Sequence, residues 1–188
     1  MKFLLGEETR GIKFGFSWFI VSEVIFFFSF FWAFFSFSVI PASQIRRFWP
    51  SMGIEVINWR AIPLLNTVIL LSSGVTLTIR HSTWKGKNNL GIIGLIITIG
   101  LGIYFILIQF NEYSERRFTI ADGIFGSSFY VLTGLHSLHV ILGVIFLRRA
   151  LSRIKSIRSS RFEISIWYWH FVDVVWLFLF GFVYVWRS

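Results

Sequence analysis

Five long apolar runs leave this chain few folds to choose from. They fall at about 12–40, 62–79, 90–110, 123–147 and 164–186. A hydrocarbon core about 30 Å thick takes roughly 20 helical residues to cross. All five runs are too long for strands and lack the period-2 alternation of a sheet. In lipid, a helix satisfies every backbone group within its own segment. The expected fold class is therefore all-α, a five-helix transmembrane bundle in one domain over residues 1–188. A soluble core of this size could not cover 24 Phe and 9 Trp in a chain that is 55% hydrophobic and 14% charged. The first run exceeds the bilayer and is expected to tilt. Pro63 opens the second, where a helix start tolerates it. The third carries Gly91, Gly94, Gly100 and Gly102, which suit close helix packing.

The net charge of +9 does not indicate nucleic acid, because the charges lie between the apolar runs rather than in one stripe. In a membrane protein they set orientation and attract anionic headgroups. With five spans, the N-terminus and the second and fourth loops share a side, which carries 12 of the 18 Lys and Arg residues. That side is expected to face the cytoplasm or matrix, with the C-terminus outside. There is no cysteine, so disulfides and thiolate metal sites are excluded. Glu7, Glu8, Arg10 and Lys13 precede the first run with no cleavage-like site, so no secretory leader is expected. No internal repeat or broken helix marks a transporter.

Polar residues inside the runs are the candidates for function, since an ionisable group in a membrane segment is costly and normally turns toward protein. Glu23 lies about 16 Å into the first run. Two readings are open for it: a neutral carboxyl bonded to a neighbouring helix, or a group that exchanges protons or contacts lipid headgroups. His136 and His139 are three apart and share a helix face, as do His170 and Asp173. These four are expected to make polar packing contacts between helices. Together with Glu23, the histidines also raise a second reading, a self-contained membrane metalloenzyme with a His/Glu site. No Glu-x-x-His motif of the di-iron bundles occurs, and His81 is expected in a loop. Thr119 and Asp122 suit a cap on the fourth helix. Arg149, Arg153 and Lys155, on the positive side, are candidates for lipid headgroups.

Several strings resemble subunit III of the haem–copper cytochrome c oxidases. WYWHFVDVVWLFL (Trp167–Leu179), preceded by Phe162-Glu163, is similar to that family's last helix. SEVIFFFSFFWAFF (Ser22–Phe35) resembles its third helix, PLLNTVILLSSGVT (Pro63–Thr76) its fourth and TGLHSLHVILG (Thr133–Gly143) its sixth. Gln109, Glu112-Tyr113 and FTIADGIFGSSF (Phe118–Phe129) resemble the junction between the fifth and sixth. The order agrees and the likeness runs nearly end to end. The family usually has seven helices, and this chain resembles helices three to seven, with even residues 9–15 similar to the approach to helix three. A separate chain supplying the first two helices is one expectation. Ser36, Ser51 and the single His81 depart from the family's pattern.

The resemblance implies a non-redox core subunit of complex IV. Such a subunit binds no haem or copper itself; those cofactors are expected in subunits I and II, its partners. It implies packing on subunit I, bound structural phospholipid, and support for proton uptake and for stable electron transfer from cytochrome c to oxygen. Glu23 matches the family's membrane-buried glutamate, and Arg153 a basic residue near headgroups. The implied location is the mitochondrial inner membrane, with the N-terminus on the matrix side and the C-terminus in the intermembrane space. The abundance of Phe and Ile fits AT-rich organellar codon use.

Overall fold

The computed structural model describes residues 2–39, 58–83, 90–152 and 160–186. They form five helices: α1 (Lys2–Val39), α2 (Ile62–Thr83), α3 (Leu90–Glu115), α4 (Gly123–Ser152) and α5 (Ser160–Leu179). A single π-helical stretch, Phe180–Val185, continues α5. No strand occurs among the described residues. Four stretches are long and apolar enough to cross a membrane: Arg10–Val39, Ile92–Glu115, Gly123–Ser152 and Phe162–Val185. The fifth, Ile62–Thr78, is shorter, but α2 as a whole has 22 residues and so is about 33 Å long.

Each helix runs past its apolar run at one end, α1 and α5 at the start and the other three at the C-terminal end, and those three relocate polar residues. α2 carries His81 on a helix instead of in a loop. α3 reaches Glu115, so Glu112 is helical. α4 reaches Ser152 and takes Arg148 and Arg149 into its last turns. The backbone is cheaper to satisfy in a helix than bare at the membrane surface, so helices outlast their apolar stretch.

Two tryptophans of α5 organise the bundle. The fully buried Trp169 donates its indole N–H to Ser73 Oγ of α2 at 3.0 Å. Its ring lies against Gly102 of α3 and Gly143 of α4, where a Cβ would intrude on the indole. Two turns on, Trp176 donates to Thr67 Oγ1 of α2 at 3.0 Å and meets Phe105 of α3 edge-on, with ring centroids 4.8 Å apart. Each indole thus spans several helices, filling the interior with its ring and satisfying its one polar atom. Of the four glycines expected to bring α3 close to a neighbour, Gly102 does so against Trp169, while Gly100 faces open space. A Thr76–Thr98 hydroxyl contact of 2.9 Å adds a polar link between α2 and α3.

α1 packs on α5 and α4. Phe27 and Phe31 reach toward Phe171 and Phe182. Lys13 pairs with Glu163 across α1 and α5. Both partners of that pair are partly exposed, so Lys13→Ala is expected to change stability by less than about 1 kcal/mol. Thermal inactivation of the variant checks this. The opposite face of α1 presents Phe14, Trp18, Ile25, Phe28 and Trp32, all more than 60% exposed, an apolar surface that only lipid or another membrane chain can cover.

The turn into α4 is fixed locally. Asp122 accepts hydrogen bonds from both the N–H and the hydroxyl of Thr119. Gly123 then takes φ 80°, a conformation that disfavours a side chain. The Thr119 carbonyl sits against Gly126, leaving no room for a Cβ there. The expected cap therefore acts backward, on its own turn.

Candidate functional site

Glu23 sits on the side of α1 that meets α4. Its Oε2 is 2.9 Å from His139 Nε2, across 116 residues of sequence. The other ring nitrogen, Nδ1, is 2.7 Å from the Leu135 carbonyl oxygen of the preceding turn. A carbonyl oxygen only accepts, so Nδ1 carries a hydrogen. The contact at Nε2 then holds one proton, either as imidazolium against carboxylate or as neutral imidazole against a protonated carboxyl. In both forms the pair is neutral overall, which is how an acid can sit at this depth without an uncompensated charge.

Aromatic rings fix the imidazole. Phe27 meets it edge-on at 5.0 Å, Tyr168 stacks at 6.4 Å and Phe171 closes a third side at 6.3 Å. Glu23 keeps 21% of its side chain exposed and His139 keeps 13%, on the outside of the bundle. The pair thus joins α1 to α4 and stays partly open to what lies beside them.

His170 and Asp173 share a face as their spacing requires, but the pair is loose. His170 Nδ1 lies 3.7 Å from Asp173 Oδ2, beyond hydrogen-bond length. Nε2 of the same ring approaches Thr78 Oγ1 of α2 at 3.5 Å. Asp173 is buried against Gly74 of α2, whose missing Cβ gives the carboxyl its room. Its Oδ1 has no protein partner. His136 is fully buried and neither of its ring nitrogens has a protein partner; Phe105 and Trp176 flank it. The four polar residues therefore do not form one site. His139 joins Glu23, His170 lies beside Asp173, and His136 stands apart. Among the described residues no three His, Cys, Asp or Glu side chains gather where a metal ion could be held.

One cluster escaped the sequence reading. Glu112, only 1% exposed, pairs with Arg116 one turn further along. Tyr184, presented by the π-helical stretch, approaches Glu112 Oε2 at 3.5 Å. Gln109 approaches the same phenol at 3.5 Å and accepts from the Asn66 amide of α2 at 3.2 Å. Gln109, Glu112 and Arg116 stand three and four apart, a helical face that was readable once the helix was known to extend that far. Of the basic candidates, Arg149 is exposed in the last turn of α4, where a cation suits the helix C-terminus. Arg153 and Lys155 lie outside the described residues.

Comparison with known proteins decides the family. A family model described as Cytochrome c oxidase subunit III matches residues 6–188. The chain belongs to the cytochrome c oxidase subunit III family. Cytochrome c oxidase subunit 3 of Locusta migratoria is 49% identical over 186 residues, covering 96% of this chain and 71% of that protein. The corresponding protein of Equus caballus is 48% identical over 185 residues, covering 95% of this chain and 71% of its own length. As a subunit III, the chain is part of cytochrome c oxidase, complex IV of the respiratory chain, and its helices are those of a helical membrane bundle. The strings around Glu23, His136, His139, His170 and Asp173 all fall within the matched residues.

Proposed function

We propose that this subunit III is the non-redox, lipid-binding part of the oxidase and that Glu23 with His139 is its working pair. The single observation that carries the reading is the 2.9 Å contact between Glu23 Oε2 and His139 Nε2 at a partly exposed position on the outside of the bundle. A carboxyl paired in this way can pass a proton to or from the imidazole without a net charge appearing, and its exposed edge can meet a phospholipid. In this reading the chain packs on subunit I, with subunit II in the same complex. Haem and copper reside in those partners, consistent with the scattered histidines found here. The chain supports proton uptake and keeps the oxidase active through many turnovers without performing electron transfer itself.

The reading extends to location. The membrane is the mitochondrial inner membrane, with the N-terminus on the matrix side, as the loop charges favour. Arg149, with Arg153 and Lys155 beyond it, then lies at matrix-side headgroups.

Glu23→Gln tests the pair. Gln keeps the shape and a hydrogen bond to the imidazole but cannot hold the shared proton as an acid. The assembled oxidase is expected to form at normal yield. Bound phospholipid or the rate of proton uptake should fall by a modest factor, about two- to fivefold, as for a partly exposed pair worth up to about 1 kcal/mol. Phosphorus content of the purified complex and proton-uptake kinetics in vesicles measure the two. Wild-type values for both would reduce Glu23 to a packing role.

A further inference from the structure

Three of the five unpartnered buried polar side-chain atoms described gather around one part of the interior, away from Glu23. His136 presents two orphan nitrogens and Asn66 one orphan oxygen, Oδ1. Trp176 and Tyr184 connect the two residues, since the Trp176 ring lies between that of His136 and that of Tyr184, and Gln109 joins Tyr184 to Asn66. The His136 ring lies 5.1 Å from that of Trp176, and the Trp176 N–H bonds Thr67, next to Asn66 in the chain. From Asn66 the polar atoms continue outward through Gln109 and Tyr184 to Glu112 and Arg116. Arg116 is 17% exposed, and its buried Nε is a further orphan.

The imidazole is the decisive member. A neutral imidazole has one N–H and one lone pair; protonated, it has two N–H groups. Either form leaves two hydrogen-bonding positions to fill, and buried polar groups are almost always filled. No protein atom does so at His136, and no second His, Asp or Glu stands with a third to hold a metal there. A small molecule that both donates and accepts fits the requirement, and water is that molecule. The Gln109–Tyr184 and Tyr184–Glu112 contacts, both 3.5 Å, are at the limit for direct hydrogen bonds, so these groups keep capacity for a further partner.

We propose that the interior between α2, α3, α4 and the π-helical stretch is a hydration site, in which ordered water fills the open positions of the His136 imidazole and of Asn66 Oδ1 beside the polar row that leads to the Glu112–Arg116 pair. This site is separate from Glu23 and does not depend on the role proposed for it. The π-helical turn has a purpose in this arrangement, since it delivers Tyr184 into the polar row.

High-resolution cryo-electron microscopy of the intact oxidase in lipid nanodiscs tests the site. The expected map has at least one water within about 3.2 Å of a His136 ring nitrogen and a second polar group. A His136→Phe complex, mapped the same way, should lose that water while keeping the Gln109–Glu112 row in place. If the wild-type map resolves other internal waters but shows both nitrogens of His136 against apolar atoms, the proposal fails. It also fails if a direct bond to a side chain fills them. Should His136→Phe not assemble, the wild-type map alone decides.

Discussion

Trp169→Ala is expected to destabilise this subunit by about 3–5 kcal/mol, the range for deleting a large buried ring. The indole is fully buried and occupies the place where α2, α3, α4 and α5 meet. Gly102 and Gly143 face it from two helices, so their backbones cannot close on the void without moving whole helices. Removing the ring also deletes the N–H that bonds Ser73, although that hydroxyl keeps its own bond to the Leu70 carbonyl. Most of the loss is therefore packing. Trp169→Phe, which retains much of the volume, should cost clearly less. The amount of the chain retained in the oxidase after detergent extraction, and the temperature of its loss, rank the variants. Equal retention of wild type and Trp169→Ala would show that the indole does not organise the bundle.

Gly102→Ala should destabilise by about 1–3 kcal/mol from the other side of the same contact. The new Cβ would meet the distal edge of the Trp169 indole and also Val144 Cγ2 at 2.9 Å. The ring cannot retreat, because Gly143 backs it so closely that even a Cβ there would come within 2.9 Å of the indole, and the N–H is tied to Ser73. The distal indole carbons are absent from phenylalanine. Gly102→Ala combined with Trp169→Phe should therefore be less damaging than the sum of the two single changes. Thermal inactivation of the three variants measures the coupling. Additive losses would mean that the glycine and the ring do not meet.

The five helices were legible because apolar length alone sets them. Each run in the sequence has its helix in the structure, and the differences lie at the ends. Those ends mattered. Glu112, Glu115, Arg116 and Arg117 together read as a water-facing loop, yet α3 continues through Glu115 and buries Glu112. A nearby arginine lets the acid stay inside, and a hydrophobicity pattern carries no sign of such neutralisation. The π-helical turn after Leu179 was also unforeseen, since the apolar run continues through it without a break.

Spacing revealed which polar residues share a face but not what they face. His170 and Asp173 do lie together, while Glu23 and His139 meet from helices far apart in sequence. His136 and His139 share a helix, yet one is fully buried in the interior and the other lies at a partly exposed edge of the bundle. Three residues correspond to about 300° of helical rotation, a 60° offset, and that offset is enough to send two neighbours into different environments. Their place inside apolar runs located the candidates, and only the packing of α1 on α4 showed that Glu23 has His139 as its partner.

The most direct test of the non-redox role is to count haem and copper in the oxidase before and after this subunit is removed. The account predicts the full complement of both metals in the depleted complex, with initial turnover preserved and activity fading during sustained turnover. Haem or copper departing in proportion to the chain would contradict it.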